Sequence, residues 1–245
     1  MIKRNEMMDM PVIDEAVRDF LRTSQKQLTG RLKDIQTEAN EKRVPVIPHE
    51  TVAFFNWFLP ILQPKIIVEV GTAIGFSGAL MLEASHPEAH VTTIERNPDM
   101  MIKAKQHFKE LDIEDKVTLL EGQAGDLLRT IETDTVDFVF MDSAKAKYYD
   151  FFPECFRMLK VGGVLAVDDV LQGGTILEED KDIPRRRRKI HRKLNDFLSV
   201  VLDHPALDAT IIPVGDGLLM ITKRKDADFD FMLPEATIEE TDQKE

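Results

Sequence analysis

Three aspartates follow two short apolar runs of the chain and form a candidate metal site. Asp142 ends the run VDFVFMD, and the pair Asp168–Asp169 ends GGVLAVDD. Nearly continuous apolar runs of this length predict strands buried on both faces of a parallel sheet, whose ends meet at one edge. Three clustered carboxylates repel one another unless a cation lies among them, and their oxygens suit hard divalent cations. We predict that Asp142, Asp168 and Asp169 bind Mg²⁺ or a similar ion.

Lys145 lies three residues after Asp142 and is a candidate general base. A metal ion lowers the pKa of a bound substrate hydroxyl. A nearby lysine could then accept the proton, provided that its surroundings lower its own pKa. Asp142 and Lys145 are therefore the candidate catalytic residues. The alternative is that Lys145 is only a salt-bridge partner at the surface, and the sequence does not separate the two.

A turn with two glycines, after the run KIIVEV, is a candidate cofactor site. It carries Glu69, Gly71, Gly75 and Ser77. Glycine allows a tight turn and a close approach of the backbone to a ligand. The spacing differs from G-x-G-x-x-G, which disfavours a nicotinamide dinucleotide and suits a nucleoside without a pyrophosphate. In this interpretation Glu69 helps to position the ammonium group of an amino-acid moiety.

Two later positions complete the candidate nucleoside site. Glu95 ends the run HVTTIE, where a carboxylate often accepts hydrogen bonds from both ribose hydroxyls. Gln123 and Ala124 follow the run VTLLEG and offer small groups and backbone atoms to the edge of an adenine ring. Each feature alone also fits an ordinary turn or a solvated strand end. Together they favour a bound nucleoside.

The candidate residues need a sheet that brings strand ends together, and the chain has the pattern of one. Apolar runs at 65–70, 90–95, 117–122, 136–142 and 162–169 alternate with helical patterns. This alternation predicts an α/β fold with a doubly wound, mostly parallel sheet. ATIIPV and LLMITKR flank Gly215-Asp216-Gly217 and predict a terminal hairpin, which gives seven strands. Helices are predicted within residues 11–62, and a single domain is predicted over residues 1–225.

Composition and charge limit the class of protein. The 245 residues are 43% hydrophobic, which is enough for a sizeable core. There is no apolar run long enough to span a membrane and no secretory signal at the N-terminus, so a cytoplasmic protein without a membrane partner is expected. The single Cys155 excludes an internal disulfide and fits a reducing compartment. Residues 226–245 carry eight Asp or Glu against one Lys and predict a flexible or loosely docked acidic tail.

A basic segment contrasts with the net charge of −12, which by itself argues against a nucleic-acid partner. Residues 181–193 carry eight Lys or Arg against one Asp and are predicted to open a helix over 185–203. Such a segment could bind the phosphates of an RNA. It could also be a solvated helix face, or the acidic tail could fold over it. The RNA-binding candidates are Arg185, Arg186, Arg187, Arg188, Lys189 and Arg192.

Four motifs together resemble a known family. VEVGTAIGFSG, TTIERNP, MDSAKAKYYDFF and VLAVDDVLQGG are similar, in this order, to the metal-dependent S-adenosylmethionine (SAM) O-methyltransferases, which include the catechol and caffeoyl-CoA enzymes. The resemblance covers about residues 40–224 and implies the Rossmann-like fold of SAM methyltransferases, with SAM as cofactor and Mg²⁺ as metal.

The resemblance implies a role for each matching position. Glu95 would bind the ribose, Ile47 and Ser77 would lie near the methionyl part, and Asp142 would contact the cofactor as well as the metal. Gln123 and Ala124 would flank the adenine, and Lys145 matches the catalytic lysine. The family usually has Asn where this chain has Asp169, so an extra negative charge is expected at the metal. The resemblance also implies a homodimer.

The substrate is the least determined part of the prediction. Within this class the N-terminal helices, Asp142–Tyr148 and PVGDGL at 213–218 resemble the bacterial enzymes that methylate 5-hydroxyuridine at the tRNA wobble position, giving 5-methoxyuridine. That resemblance implies the tRNA anticodon stem-loop as partner. The first alternative is a small-molecule catechol-type O-methyltransferase. The second is a non-catalytic RNA-binding protein with the same fold.

Overall fold

The computed structural model describes residues 13–233 of the chain. The α-helices are α1 (Glu15–Ser24), α2 (Gly30–Glu41), α3 (His49–Leu62), α4 (Phe76–Ala84), α5 (Pro98–Glu110), α6 (Ala124–Leu127), α7 (Tyr148–Met158) and α8 (Arg188–Val201). The strands are β1 (Ile66–Val70), β2 (His90–Glu95), β3 (Val117–Glu121), β4 (Val136–Met141), β5 (Leu159–Val167), β6 (Leu207–Ile212) and β7 (Leu218–Lys223).

The strands form one sheet of seven in the order β3-β2-β1-β4-β5-β7-β6. The first five are parallel, whereas β7 runs antiparallel to both β5 and β6. The strand order reverses between β1 and β4, so a cleft at the carboxyl ends of these two strands is the expected place for a ligand. The predicted fold class, an α/β fold with a doubly wound and mostly parallel sheet of seven strands, is confirmed.

Two apolar cores, one on each face of the sheet, hold the helices in place. On one face Phe55 of α3 packs edge-on against Phe138 and Phe140 of β4, with ring centroids 5.9 and 5.1 Å apart. On the other face Phe152 of α7 lies edge-on to Phe197 of α8, with centroids 5.6 Å apart. Because the central strands are covered on both faces, their sequences are almost continuously apolar.

Local sequence explains most of the element boundaries. Asn97 caps α5 by accepting a hydrogen bond from the Asp99 amide at 3.0 Å, and Pro98 takes the first helical position. α3 continues through Pro60 to Leu62, because a proline one turn from a helix end removes only one backbone hydrogen bond. It stops where Gln63 adopts a left-handed conformation.

One prediction about the C-terminal third needs correction. The helix predicted from residue 185 begins at Arg188, and Arg185–Arg187 lie in the turn before it. Of the two alternatives for the acidic tail, flexible or loosely docked, residues 226–233 are docked, because Phe229 is only 2% exposed and packs edge-on against Phe152 and Phe156. The rest of that segment lies outside the described residues. No helix in the part of the chain between residues 13 and 233 is long and apolar enough to cross a bilayer.

Candidate active site

The three predicted metal ligands lie together at the carboxyl ends of β4 and β5. The Asp142 amide donates to the Val70 carbonyl and the Asp168 amide to the Met141 carbonyl, both at 3.0 Å, so the sheet ladder itself fixes both backbones. Asp169 has φ 57°, a left-handed conformation that Asn and Asp tolerate better than other side chains. One carboxylate oxygen from each of the three lies within 4.8 Å of the others.

The electrostatics of this aspartate cluster (Asp142, Asp168 and Asp169) fit a divalent cation. Burial, followed by repulsion from Asp169, raises the pKa of Asp142 to about 6. Burial and the two neighbouring carboxylates also raise the pKa of Asp168 well above its usual value. The buried Oδ1 of Asp168 has no hydrogen-bond partner among residues 13–233. Three hard oxygen donors with an unpartnered buried oxygen are a suitable ligand set for Mg²⁺.

Lys145 is part of this cluster rather than a remote surface residue. It begins a short 3₁₀ turn after β4, and its Nζ donates to Asp169 Oδ2 at 2.6 Å. Both side chains are partly buried. The ion pair offsets part of the negative charge that Asp169 adds to the cluster. Lys145 therefore lies where it could exchange a proton with a group bound at the cluster.

Most of the predicted cofactor residues border a cleft of about 530 Å³ above the carboxyl ends of β1, β2 and β4. The predicted residues that line it are Ile47, Gly71, Ser77, Glu95, Gln123, Ala124 and Asp142, and Lys145 and Asp169 line it as well. A side chain at Gly71 would overlap the Asp142 carbonyl oxygen, so glycine is required where β1 and β4 converge.

Glu95 is held rigidly at the edge of this cleft. Its Oε2 accepts a hydrogen bond from the Ala73 amide at 2.9 Å. Its Oε1 accepts from the amides of Arg96 and Asn97, both at 2.8 Å. Since these three bonds fix the orientation of the carboxylate, its remaining acceptor positions are available in one geometry, as recognition of the two vicinal hydroxyls of a ribose requires.

Two predicted cofactor residues do not line the cleft. Gly75 has φ 81°, and a Cβ there would come within 2.6 Å of the Phe108 ring, so this glycine serves the packing of α4 against α5. Glu69 is 0% exposed and accepts hydrogen bonds from Ser77 and Thr93, both at 2.5 Å. Glu69 therefore supports the cofactor turn from behind, and its predicted role in positioning an ammonium group stays a prediction. Its burial raises its pKa to about 7.

A second cleft of about 340 Å³ meets the cofactor cleft at the aspartate cluster, since Asp142 and Asp169 line both. Its outer wall is polar and comes from the N-terminal helices and the β6–β7 turn. The lining residues that sequence reasoning missed include Arg18, Arg22, Lys33, His49, Glu50 and Asp216. Asp216 belongs to PVGDGL, whose sequence predicts a hairpin turn and carries part of the resemblance but does not indicate a place in the site. The helices carry no local pattern that would have identified their residues.

The structure divides the predicted RNA-binding residues into two groups. Arg192 forms a bidentate ion pair with Asp180 at 2.8 and 2.6 Å, and Arg188 donates to the backbone carbonyls of Lys181 and Ile183. Arg187 is half-buried and also has a partner. Arg185, Arg186 and Lys189 are exposed, and within residues 13–233 they form no ion pair. These last three residues, the exposed basic corner, can contact a polyanion without breaking an internal contact.

Comparison with known proteins agrees with this geometry. A family model described as O-methyltransferase matches residues 23–224. A catechol O-methyltransferase from Mycobacterium tuberculosis is 31% identical over 62% of this chain and 66% of its own. A putative caffeoyl-CoA O-methyltransferase from Staphylococcus aureus, of known structure, is 28% identical with a TM-score of 0.73, over 80% of this chain and 93% of its own.

A third protein shares the fold of this chain. An O-methyltransferase from Streptomyces achromogenes, solved in complex with SAM, has a TM-score of 0.75 and covers 90% of this chain and 99% of its own. At 20% identity it shows the shared fold.

Proposed function

The chain belongs to the O-methyltransferase family and is a SAM-dependent enzyme of the caffeoyl-CoA and catechol type. On this premise we propose that the aspartate cluster holds a divalent cation and that the acceptor hydroxyl binds beside it. The observation that carries the proposal is that the cluster lies where the cofactor cleft and the second cleft meet. The methyl donor and the acceptor oxygen can then approach each other from opposite sides, and such positioning supplies much of the rate.

Each residue of the site has a proposed task. The cation would supply the Lewis acidity that favours ionisation of the acceptor hydroxyl. Lys145, whose Nζ lies 2.6 Å from Asp169 Oδ2, would first give a proton to this carboxylate or to solvent and would then, as the neutral amine, accept the proton that the hydroxyl loses. Glu95, fixed by its three backbone amides, binds the ribose of SAM. Ser77, Gln123 and Ala124 border the methionyl and adenine parts of the cofactor.

For the acceptor we propose a small aromatic molecule with adjacent hydroxyl groups. The relatives named catechol and caffeoyl-CoA O-methyltransferases support this class. Two adjacent oxygens can bind one divalent cation together, and this directs one of them towards the methyl donor.

A second candidate acceptor is 5-hydroxyuridine at the wobble position of tRNA. The exposed basic corner favours it, and so does the wall of the second cleft, where Arg18 and Arg22 of α1 and Lys33 of α2 lie. A cleft for a neutral catechol would be expected to have a more apolar wall. Cationic side chains at the cleft and at the start of α8 could bind the phosphates on either side of a wobble nucleotide.

Methyl transfer from labelled SAM tests both candidates. Purified protein with Mg²⁺ is given a catechol panel or tRNA that carries 5-hydroxyuridine, each with and without EDTA. We expect label in at least one acceptor, its loss with EDTA, and its loss in Asp168→Asn but not in the exposed control Asp203→Asn. Label only in catechols contradicts the tRNA candidate, and label only in tRNA contradicts the catechol candidate. Methylation that EDTA leaves unchanged contradicts the metal proposal.

The proposed assembly is a homodimer. Phe20 of α1 and Trp57 and Ile61 of α3 are each 64% exposed, an unusual exposure for large apolar side chains on two helices that pack together. We propose that a second copy covers them. Sedimentation velocity should give a dimer for the wild type and a monomer for Trp57→Asp. A wild-type monomer at micromolar concentration contradicts this proposal.

A further inference from the structure

Asp216 is a buried acid in the second cleft to which the reaction described above gives no task. It lies in the turn between β6 and β7 and is only 6% exposed. One carboxylate oxygen, Oδ1, accepts a hydrogen bond from the Gly173 amide at 2.5 Å. The other, Oδ2, is buried and has no hydrogen-bond partner among residues 13–233. A buried carboxylate oxygen without a donor is costly, so such an oxygen usually serves a ligand or a bound water.

The turn that carries Asp216 is fixed against the segment that follows the aspartate cluster. The Leu171 amide donates to the Asp216 carbonyl at 2.9 Å, and the Val170 amide donates to the Gly217 carbonyl at 3.0 Å. A side chain at Gly217 would overlap Leu171. These contacts leave the turn little freedom, so the position of the free oxygen is set by the backbone rather than by a mobile loop.

The opposite side of the turn is equally confined. A Cβ at Gly215 would lie 3.0 Å from Pro48 and 3.2 Å from the hydroxyl of Thr51, at the start of α3. Asp216 therefore stands between the N-terminal helices and the strand ends, and it lines the second cleft together with Asp142 and Asp169. Burial, reinforced by repulsion from Asp169, raises its pKa to about 7. This shift fits a carboxyl group that lacks solvation until a ligand arrives.

We propose that Asp216 is a substrate-binding residue whose free oxygen accepts a hydrogen bond from an N–H or O–H group of the acceptor ring. The donor is distinct from the two oxygens that bind at the aspartate cluster. The inference rests on the proposed function, and it adds a chemical requirement: the preferred acceptor carries a third polar group on the ring. Because a buried acceptor left unpaired is costly, the enzyme discriminates against an otherwise identical ring without that donor.

Two matched pairs of acceptors test the requirement. Pyrogallol has a third hydroxyl beside a catechol unit, and catechol lacks it. 5-Hydroxyuridine has a ring N–H at N3, and its N3-methyl derivative lacks it. The wild type should prefer the donor-bearing member of the pair it methylates by roughly tenfold in kcat/KM, the usual size of one buried hydrogen bond.

The variant Asp216→Asn separates substrate binding from a structural role. Its side-chain oxygen can still accept from Gly173, while an NH₂ group replaces the free oxygen, so the turn is preserved and the substrate acceptor is lost. We expect KM for the donor-bearing acceptor to rise about tenfold, kcat to change less, and the preference within the pair to disappear. Asp203→Asn, which removes an exposed charge just after α8, should keep the wild-type preference.

Three outcomes separate the inference from the proposed function. An Asp216→Asn enzyme that keeps the wild-type preference overturns the inference and leaves the proposed function intact. A wild-type enzyme that methylates both members of a pair equally also overturns the inference and leaves the proposed function intact. Failure of the wild type to methylate either class, while calorimetry shows that it binds SAM, overturns the proposed function and the inference with it.

Discussion

Replacing Glu69 by Gln should change how the stability of the protein depends on pH. Burial raises the pKa of Glu69 from 4.5 to about 7 in the folded state. Folding therefore takes up a proton between these two values. The stabilisation is fully present below the unfolded pKa and is lost as the pH rises through about 7. A shift of this size corresponds to about 3 kcal/mol at 1.36 kcal/mol per pKa unit.

Urea unfolding followed by circular dichroism, at pH values from 5 to 8 and without added metal, measures this effect. The wild type contains other buried acids with raised pKa values, so the informative quantity is its difference from Glu69→Gln. Between pH 5 and pH 8 the free energy of unfolding of the variant should fall by about 2.5 kcal/mol less than that of the wild type, because pH 5 already lies slightly above the unfolded pKa. Glu83→Gln, which neutralises an exposed residue of α4, should follow the wild type. Parallel curves for Glu69→Gln and the wild type would refute the reasoning.

Three further predictions follow from the geometry. Lys145→Ala should lower kcat by about 10²- to 10⁴-fold and change SAM affinity in calorimetry much less, because the proposed task of Lys145 is proton transfer; a normal kcat excludes it as the base. Phe229→Ala should lower the free energy of unfolding in urea by about 3–5 kcal/mol, since the ring is 2% exposed. Phe231→Ala, at a side chain 64% exposed, should lower it by under about 0.5 kcal/mol. Equal changes in the two variants would mean that residues 226–233 are not docked. Gly71→Ala should weaken SAM binding by about tenfold or more, because its Cβ overlaps the Asp142 carbonyl; unchanged SAM affinity in calorimetry contradicts this.

The aspartate cluster could be predicted from sequence because the positions of its three residues depend on local pattern and one topological rule. A buried parallel strand is recognisable by its apolar run, and Asp142, Asp168 and Asp169 each follow such a run directly. Neighbouring strands then bring their ends together whatever the rest of the chain does. The same reasoning located Glu95 and the residues after β3, which line the cofactor cleft.

Predictions that depended on where a side chain points were less successful. Glu69 lies within β1, and a strand residue faces one side of the sheet or the other according to register. The sequence places Glu69 near the site. It does not show that the Glu69 carboxylate faces Ser77 and Thr93, from which it accepts hydrogen bonds. The basic segment shows the same limit, because the partner of Arg192 is Asp180, 12 residues earlier along an irregular connection.

The substrate side of the site is harder to predict for a physical reason. The cofactor cleft is built from consecutive strand–helix turns, whereas the second cleft is closed by α1, α2 and the β6–β7 turn, which are far apart in sequence. Only long-range packing, such as that of Gly215 against Pro48, decides which of their side chains reach the aspartate cluster. Local motifs therefore identify the chemistry of the enzyme. The identity of the acceptor depends instead on contacts between residues that are far apart in the sequence. Asp216 shows both kinds of dependence. Its motif lies within one turn and is visible in the sequence, whereas its position at the second cleft results from long-range packing.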